Sequence, residues 1–130
     1  MKRESLPAHV ASGTHVLADL NGIPAEKLSD CALLETLLRD AAEAAGARIL
    51  FSHFHAFGEG QGVTGVVLLA ESHITIHTWP ECGFAAADIF MCGSAQPELA
   101  LALITSALQP DAAQTNIHRH ARAAVPGTGA

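Results

Sequence analysis

Residues 63–92 read VTGVVLLAESHITIHTWPECGFAAADIFMC, and this stretch decides the fold. The apolar run from Val63 to Ala70 reads as a buried strand. Glu71 and Ser72 interrupt it. His73 to Thr78 then alternates β-branched with polar residues, the pattern of a second strand. Pro80, Glu81 and Gly83 turn the chain, and Phe84 to Cys92 forms a third strand that Gly93 ends.

Working outward, Arg48 to Phe57 (RILFSHFHAF) reads as a strand before the glycine-rich loop Gly58–Gly62. Strict alternation puts Ile49, Phe51, His53 and His55 on one face and Leu50, Ser52, Phe54 and Ala56 on the other. Further upstream, Leu33, Leu34, Leu37, Leu38, Ala41, Ala42 and Ala45 recur at helical spacing. Ser29 or Asp30 is placed to cap that helix and Gly46 to end it. Thr14 to Leu20 is a strand, broken by Asn21, Gly22 and Pro24. Downstream, Ser94 to Leu108 reads as a second helix with Pro97 in its first turn and Leu99, Leu103, Ile104 and Leu108 on its apolar face. A last strand spans about Thr115 to Arg122. Residues 1–12 and the tail VPGTGA read as loose ends. The order of strand, helix, several strands, helix, strand predicts an α+β two-layer sandwich. Its sheet is mainly antiparallel, its helices pack on one face, and its exposed edges are open to pairing in a dimer.

Composition bounds the function. The 130 residues fit a single domain spanning 1–130, with 49% hydrophobic and 15% charged residues. So little charge predicts that some apolar surface is covered by a partner chain. The net charge is −6, and the seven Lys and Arg residues are scattered, which argues against nucleic acid as a partner. No apolar run approaches the roughly 20 residues needed to cross a bilayer, and MKRESLPAHV lacks the apolar segment of a secretory signal, so no membrane partner is expected. The three cysteines, Cys31, Cys82 and Cys92, include no CxxC pair and read as reduced thiols of a cytoplasmic protein.

Reactive side chains crowd between His73 and Cys92: two His, two Cys, Glu81, Asp88 and Trp79, the one Trp of the chain. Taken singly, strand His and Thr residues commonly satisfy backbone groups, and a lone Cys commonly fills apolar space. A metal reading would draw on His73, His77, His53, His55, Cys82 and Cys92, but none of the familiar zinc spacings is present and no metal ligand is assigned.

The third reading is covalent chemistry at Ser72. The segment Glu71–Glu81 (ESHITIHTWPE), followed by Ala86–Gly93 (AADIFMCG), closely resembles the signature of bacterial and archaeal S-adenosylmethionine decarboxylases, and weaker likeness runs from Gly13 through the last helix. The resemblance implies a self-cleaving proenzyme cut between Glu71 and Ser72, giving a β chain (1–71) and an α chain (72–130). Ser72 becomes a covalent pyruvoyl group, the pyruvate cofactor of the family, which holds the substrate amine as a Schiff base. It implies His77 as processing base, Thr64 as processing hydroxyl where the family usually has Ser, and Cys92 as proton donor. For the substrate S-adenosylmethionine it implies Phe57 stacking on the adenine or sulfonium, Trp79 lining the pocket and Glu81 accepting from ribose hydroxyls. The loop before Thr64, HAFGEGQGVTG, is one residue longer than the family's best-known pattern. A relative that decarboxylates ornithine or arginine with the same chemistry is the alternative within the fold. A non-catalytic or metal-binding homologue is the alternative outside it.

Geometry sets one further expectation. In extended chain Ser72 and His77 lie about 16 Å apart on opposite faces, and Thr64 and Ser72 about 26 Å apart. Their contact therefore needs a sharp bend at Ser72 or residues from a second protomer, which predicts a homodimer of cleaved αβ protomers with active sites at or near the interface.

Overall fold

The computed structural model describes residues 11–125, so residues 1–10 and 126–130, on which most of the two expected loose ends fall, lie outside the described residues. Within them the elements run β1 (Ser12–Leu20), α1 (Ala25–Leu28), α2 (Cys31–Ala44), β2 (Ile49–Ala56), β3 (Val63–Leu69), β4 (Ser72–Trp79), β5 (Phe84–Cys92), α3 (Pro97–Leu108) and β6 (Asn116–Ala123). The strands form one sheet in the order β2-β3-β4-β5-β1-β6, with every neighbouring pair antiparallel. The α+β sandwich expected from the sequence is the fold found.

Alternation builds the two faces. On one, Val16, Ala18, Leu20, Val67, Ile74, Ile76, Ile89 and Met91 are buried beneath α2 and α3. Small residues let the layers approach: Ala41 and Ala42 on α2, Ala85 and Ala87 on β5. Asp30 caps α2 by accepting from the Leu33 N–H at 3.0 Å, and Gly46 leaves it with φ 84°. Phe54 lies across its register partner Gly65, where any Cβ would overlap its ring.

The other face carries no helix among the described residues. It presents Leu17, Phe51, Leu68 and Trp79, each 40–56% exposed, around a polar centre of His15, His73, Thr75 and Asp88. Among the described residues, this broad face is where large apolar side chains remain uncovered.

Several boundaries depart from the sequence reading, each for a physical reason. A register shift between Ile49 and Phe51 turns Ile49 to the helix side, so it packs against the core while Phe51, His53 and His55 face outward. Leu33 and Leu99 are 39% and 45% exposed, because α2 and α3 meet the sheet through Leu34, Leu37, Leu38, Leu101 and Ile104. Helix α3 starts at Pro97 rather than Ser94, with the proline at its first position as expected. A short turn of helix, α1, follows the break at Asn21–Pro24. Ser72 does not interrupt a strand but begins one: Leu69 pairs with Ser72, so the chain reverses at Ala70–Glu71.

Thr78 ties the layers together and is the one buried polar side chain in the core among the described residues. Its Oγ1 accepts from the Val63 N–H at 2.8 Å and donates to the Leu28 carbonyl at 2.7 Å, joining β4 to β3 and to α1. Replacing Thr78 by Val keeps the volume and strands both backbone groups away from water. Thr78→Val should lower unfolding free energy by about 2 kcal/mol, read as a fall in the denaturant midpoint at unchanged m-value.

Candidate active site

The residues singled out by the sequence gather at two ends of the hairpin β3–β4 rather than at one point. At the turn, Glu71 takes φ 62°, a left-handed conformation that costs a non-glycine residue about 1–2 kcal/mol. The thiol of Cys92 donates to the Glu71 carbonyl oxygen at 3.2 Å, and the Cys92 N–H donates to Ser72 Oγ at 3.2 Å. The end of β5 thus grips both sides of the Glu71–Ser72 peptide bond. A thiol on the carbonyl draws electron density from the carbon that Ser72 Oγ would attack. Glu71, Cys92, Phe90 and Arg122 line an open cleft of about 530 Å³ beside this bond.

At the far end of the same hairpin Thr64 and His77 are register partners, and Thr64 Oγ1 meets His77 Nδ1 at 3.1 Å. With Nδ1 donating to the hydroxyl, the Nε2 lone pair is open to take a proton. Phe57, Trp79 and Glu81 join them around a second cleft of about 360 Å³, and Trp79 stacks on Phe84 with centroids 5.2 Å apart and planes 24° from parallel. The lengthened loop is folded tightly: Phe57 N–H donates to the Gly62 carbonyl, Gln61 N–H to the Gly58 carbonyl, and Gly58 and Gly60 supply the positive φ values. It leaves the Phe57 ring 63% exposed at the mouth of the cleft.

Strand β4 runs unbroken from Ser72 to Trp79, so the five residue steps from Ser72 to His77 keep the two about 16 Å apart. Thr64 is closer to Ser72 than the 26 Å of unturned chain, because the hairpin folds it back opposite His77. It remains about 16 Å away along the ladder. Within one chain, then, Glu71, Ser72 and Cys92 come together, Thr64, His77, Phe57, Trp79 and Glu81 come together, and the two groups stay apart. The bend at Ser72 is absent.

Between these ends lies a cluster with no role assigned in the sequence reading. Asp88 Oδ2 meets His15 Nε2 at 2.6 Å and His73 Nε2 at 2.8 Å, while Thr75 Oγ1 donates to Oδ1. Burial pushes the Asp88 carboxyl up, but the hydrogen bonds from Thr75, His15 and His73, with the charge on His73, outweigh it and hold the group below the usual carboxylate range. The sequence reading counted Asp88 among the crowded reactive side chains without giving it a role, and met His15 only inside a strand. The alternation of β1 marks His15 as outward-facing, but nothing local pairs β1 with β5.

The ligand set weighed for a metal does not assemble. His73 is held at Asp88, His77 at Thr64, Cys82 lies on an exposed turn after β4, and Cys92 lies at the opposite end of β5. Cys31, at the start of α2, has its thiol pushed up by burial and then by Glu35 and Asp30, away from the reactive thiolate form.

Comparison with known proteins identifies the family. The family model described as S-adenosylmethionine decarboxylase matches residues 14–122. The S-adenosylmethionine decarboxylase proenzyme of Thermodesulfovibrio yellowstonii is 47% identical over 100 residues, covering 76% of this chain and 73% of that one. The proenzyme of the same name from Parasynechococcus marenigrum is 45% identical over 118 residues, covering 89% and 91%. The crystal structure of the adenosylmethionine decarboxylase from Aquifex aeolicus superposes with a TM-score of 0.81 at 38% identity, covering 91% of this chain and 96% of that one. With a family model matched along residues 14–122 and a curated relative 45% identical over 89% of the chain, the chain belongs to the S-adenosylmethionine decarboxylase family.

Proposed function

We propose that this chain is a proenzyme that cuts itself between Glu71 and Ser72, keeps a pyruvoyl group at residue 72, and decarboxylates S-adenosylmethionine in the cytoplasm as a homodimer, supplying aminopropyl groups for spermidine. The observation that carries the reading is the grip of Cys92 on the Glu71–Ser72 bond, with thiol and backbone N–H each at 3.2 Å. Ser72 Oγ attacks the Glu71 carbonyl carbon and an ester replaces the amide, which also releases the left-handed Glu71 from a closed turn. A base removes the α-proton of Ser72, and the Glu71 carboxylate leaves by β-elimination, carrying the former Oγ. The resulting dehydroalanine tautomerises to an imine, and water hydrolyses it with loss of ammonia. The residues present suit this outcome, since the group is made from Ser72 itself, whose Oγ lies 3.2 Å from the Cys92 backbone nitrogen, beside a cleft lined by Glu71 and Cys92.

The pyruvoyl carbonyl supplies an electron sink for the substrate's amine and departing carboxylate. Cys92 gives the proton that replaces carbon dioxide. The stacked Trp79 and Phe84, the exposed Phe57 and the Glu81 carboxylate offer an aromatic and acidic cleft suited to an adenosine with ribose hydroxyls and a sulfonium. Ornithine and arginine have no ring to stack there, and a parallel assay of the three substrates separates the readings.

His77 and Thr64 serve Ser72 from a second protomer in this scheme, because β4 keeps them about 16 Å away within one chain. The uncovered apolar face is the surface through which two sheets would meet. Ser72→Ala and His77→Ala should each remain a single uncleaved chain alone. Coexpressed with different tags, they should cleave the His77→Ala chain alone, because the Ser72→Ala partner lends its His77. Denaturing mass spectrometry reads the result, and no cleavage in isolated mixed dimers refutes the shared site. Cys92→Ala should still cleave on long incubation, yet release carbon dioxide about 10²–10⁴-fold more slowly.

A further inference from the structure

Cleavage at Glu71–Ser72 would remove most of what holds residue 72. Before it, residue 72 is fixed by the peptide bond to Glu71, by its Oγ accepting from the Cys92 N–H, and by the ladder to Leu69. Afterwards the peptide bond is gone, Oγ has departed with the Glu71 carboxylate, and β4 begins at a new chain end. Strand ends fray, and frayed ends lose the alignment on which transfer chemistry depends. The nearest side-chain tether that survives belongs to the next residue: His73 Nε2 to Asp88 Oδ2, 2.8 Å.

That tether is itself braced. Thr75 donates to the other carboxylate oxygen, and His15 meets Oδ2 at 2.6 Å. Arg122 Nη1 lies 3.3 Å from His15 Nδ1. A guanidinium only donates, so Nδ1 accepts and the His15 proton sits on Nε2, aimed at Asp88. The same fact argues against reading His15, His73 and Asp88 as a divalent-metal triad, since a metal at His15 Nε2 would need the lone pair that the proton occupies. Side chains from β1, β4 and β6 thus converge on one carboxylate of β5, and the restraint they produce is passed to the residue whose backbone nitrogen bears the reacting group.

We propose that Asp88 is a positioning residue: through the imidazole of His73 it holds the start of β4, and with it the group at residue 72, in line with the Cys92 thiol after the chain has been cut. This rests on the self-cleavage reading above. Its consequence lies in where the proton goes. If residue 72 swings away from Cys92, the proton is delivered to the carbon of residue 72 instead of the substrate carbon. After hydrolysis the substrate's nitrogen stays on the chain as an N-terminal alanine and the remainder leaves as an aldehyde.

The test compares the wild type with Asp88→Asn, Thr75→Val and Thr75→Ser, all as full-length chains. Asp88→Asn keeps shape but loses the doubly accepting carboxylate. Thr75→Val removes one brace and Thr75→Ser restores its hydroxyl. Expected for Asp88→Asn and Thr75→Val is complete self-cleavage with kcat lowered about tenfold or more at nearly unchanged KM. Without substrate, amide exchange in residues 73–79 of their cleaved chains should be faster than in wild type. After turnover, N-terminal sequencing should find alanine on a larger fraction of α chains, the pyruvoyl-blocked ends giving no sequence. Thr75→Ser should behave as wild type. Wild-type kcat, exchange and alanine fraction in both Asp88→Asn and Thr75→Val would overturn the proposal, as would uncleaved variants of native stability, which would make Asp88 a requirement for cutting. An uncleaved wild type would instead sink the self-cleavage reading itself.

Discussion

The register of β4 between β3 and β5 is the constraint from which the reactive face follows. Side chains alternate along a strand, so a slip by one residue would send His73, Thr75, His77 and Trp79 under the helices and bring Ile74 and Ile76 out to water. Burying two histidines and a threonine without partners while exposing two isoleucines is costly on both counts, and the apolar set beneath α2 and α3 locks the strand in place. Once it is locked, His77 must face Thr64 and His73 must reach Asp88. Cys92 meets the reversal at Glu71 because β5 runs two residues beyond the His73–Phe90 pair.

The face so defined is neither a normal exterior nor a core. Its middle is a hydrogen-bonded carboxylate and its margins are aromatic and aliphatic. A monomer seldom leaves so large an apolar margin in water. A second sheet laid against it would cover the margins and further dry the cluster around Asp88. It would also bring one protomer's Thr64 and His77 to the other's Ser72. On the proposed scheme, stability and chemistry would make the same demand on that surface.

Much of this was legible in the chain because its signals are local. Apolar periodicity marks α2 and α3, alternation marks the strands, Asp30 caps as its side chain suggests, and the run ESHITIHTWPE marks the reversal before β4 and the strand itself. What escaped depends on partners distant in sequence. The bulge that turns Ile49 inward exists only against β3. Exposure of Leu33 and Leu99 depends on which side of each helix meets the sheet, and there Leu34, Leu37, Leu38, Leu101 and Ile104 take the buried positions. Asp88 draws His15 from 73 residues away, across a strand pairing that no short pattern announces. The separation of Ser72 from His77 was predictable, since arithmetic along one strand needs no knowledge of the rest.

The strand order would have a consequence for the protein once cut as proposed. With the break at Glu71–Ser72, strands β1, β2 and β3 would belong to one fragment and β4, β5 and β6 to the other, while β1 sits between β5 and β6. The fragments would be interleaved rather than side by side, and parting them means breaking three strand pairings at once: β3 with β4, β5 with β1, and β1 with β6. The intact precursor can fold as a first-order event, at a rate indifferent to dilution. Its product, once unfolded, must find its other half by collision, and its return would depend on concentration. Folding would thus precede chemistry in time, and each molecule would carry in its topology the record of having been assembled whole.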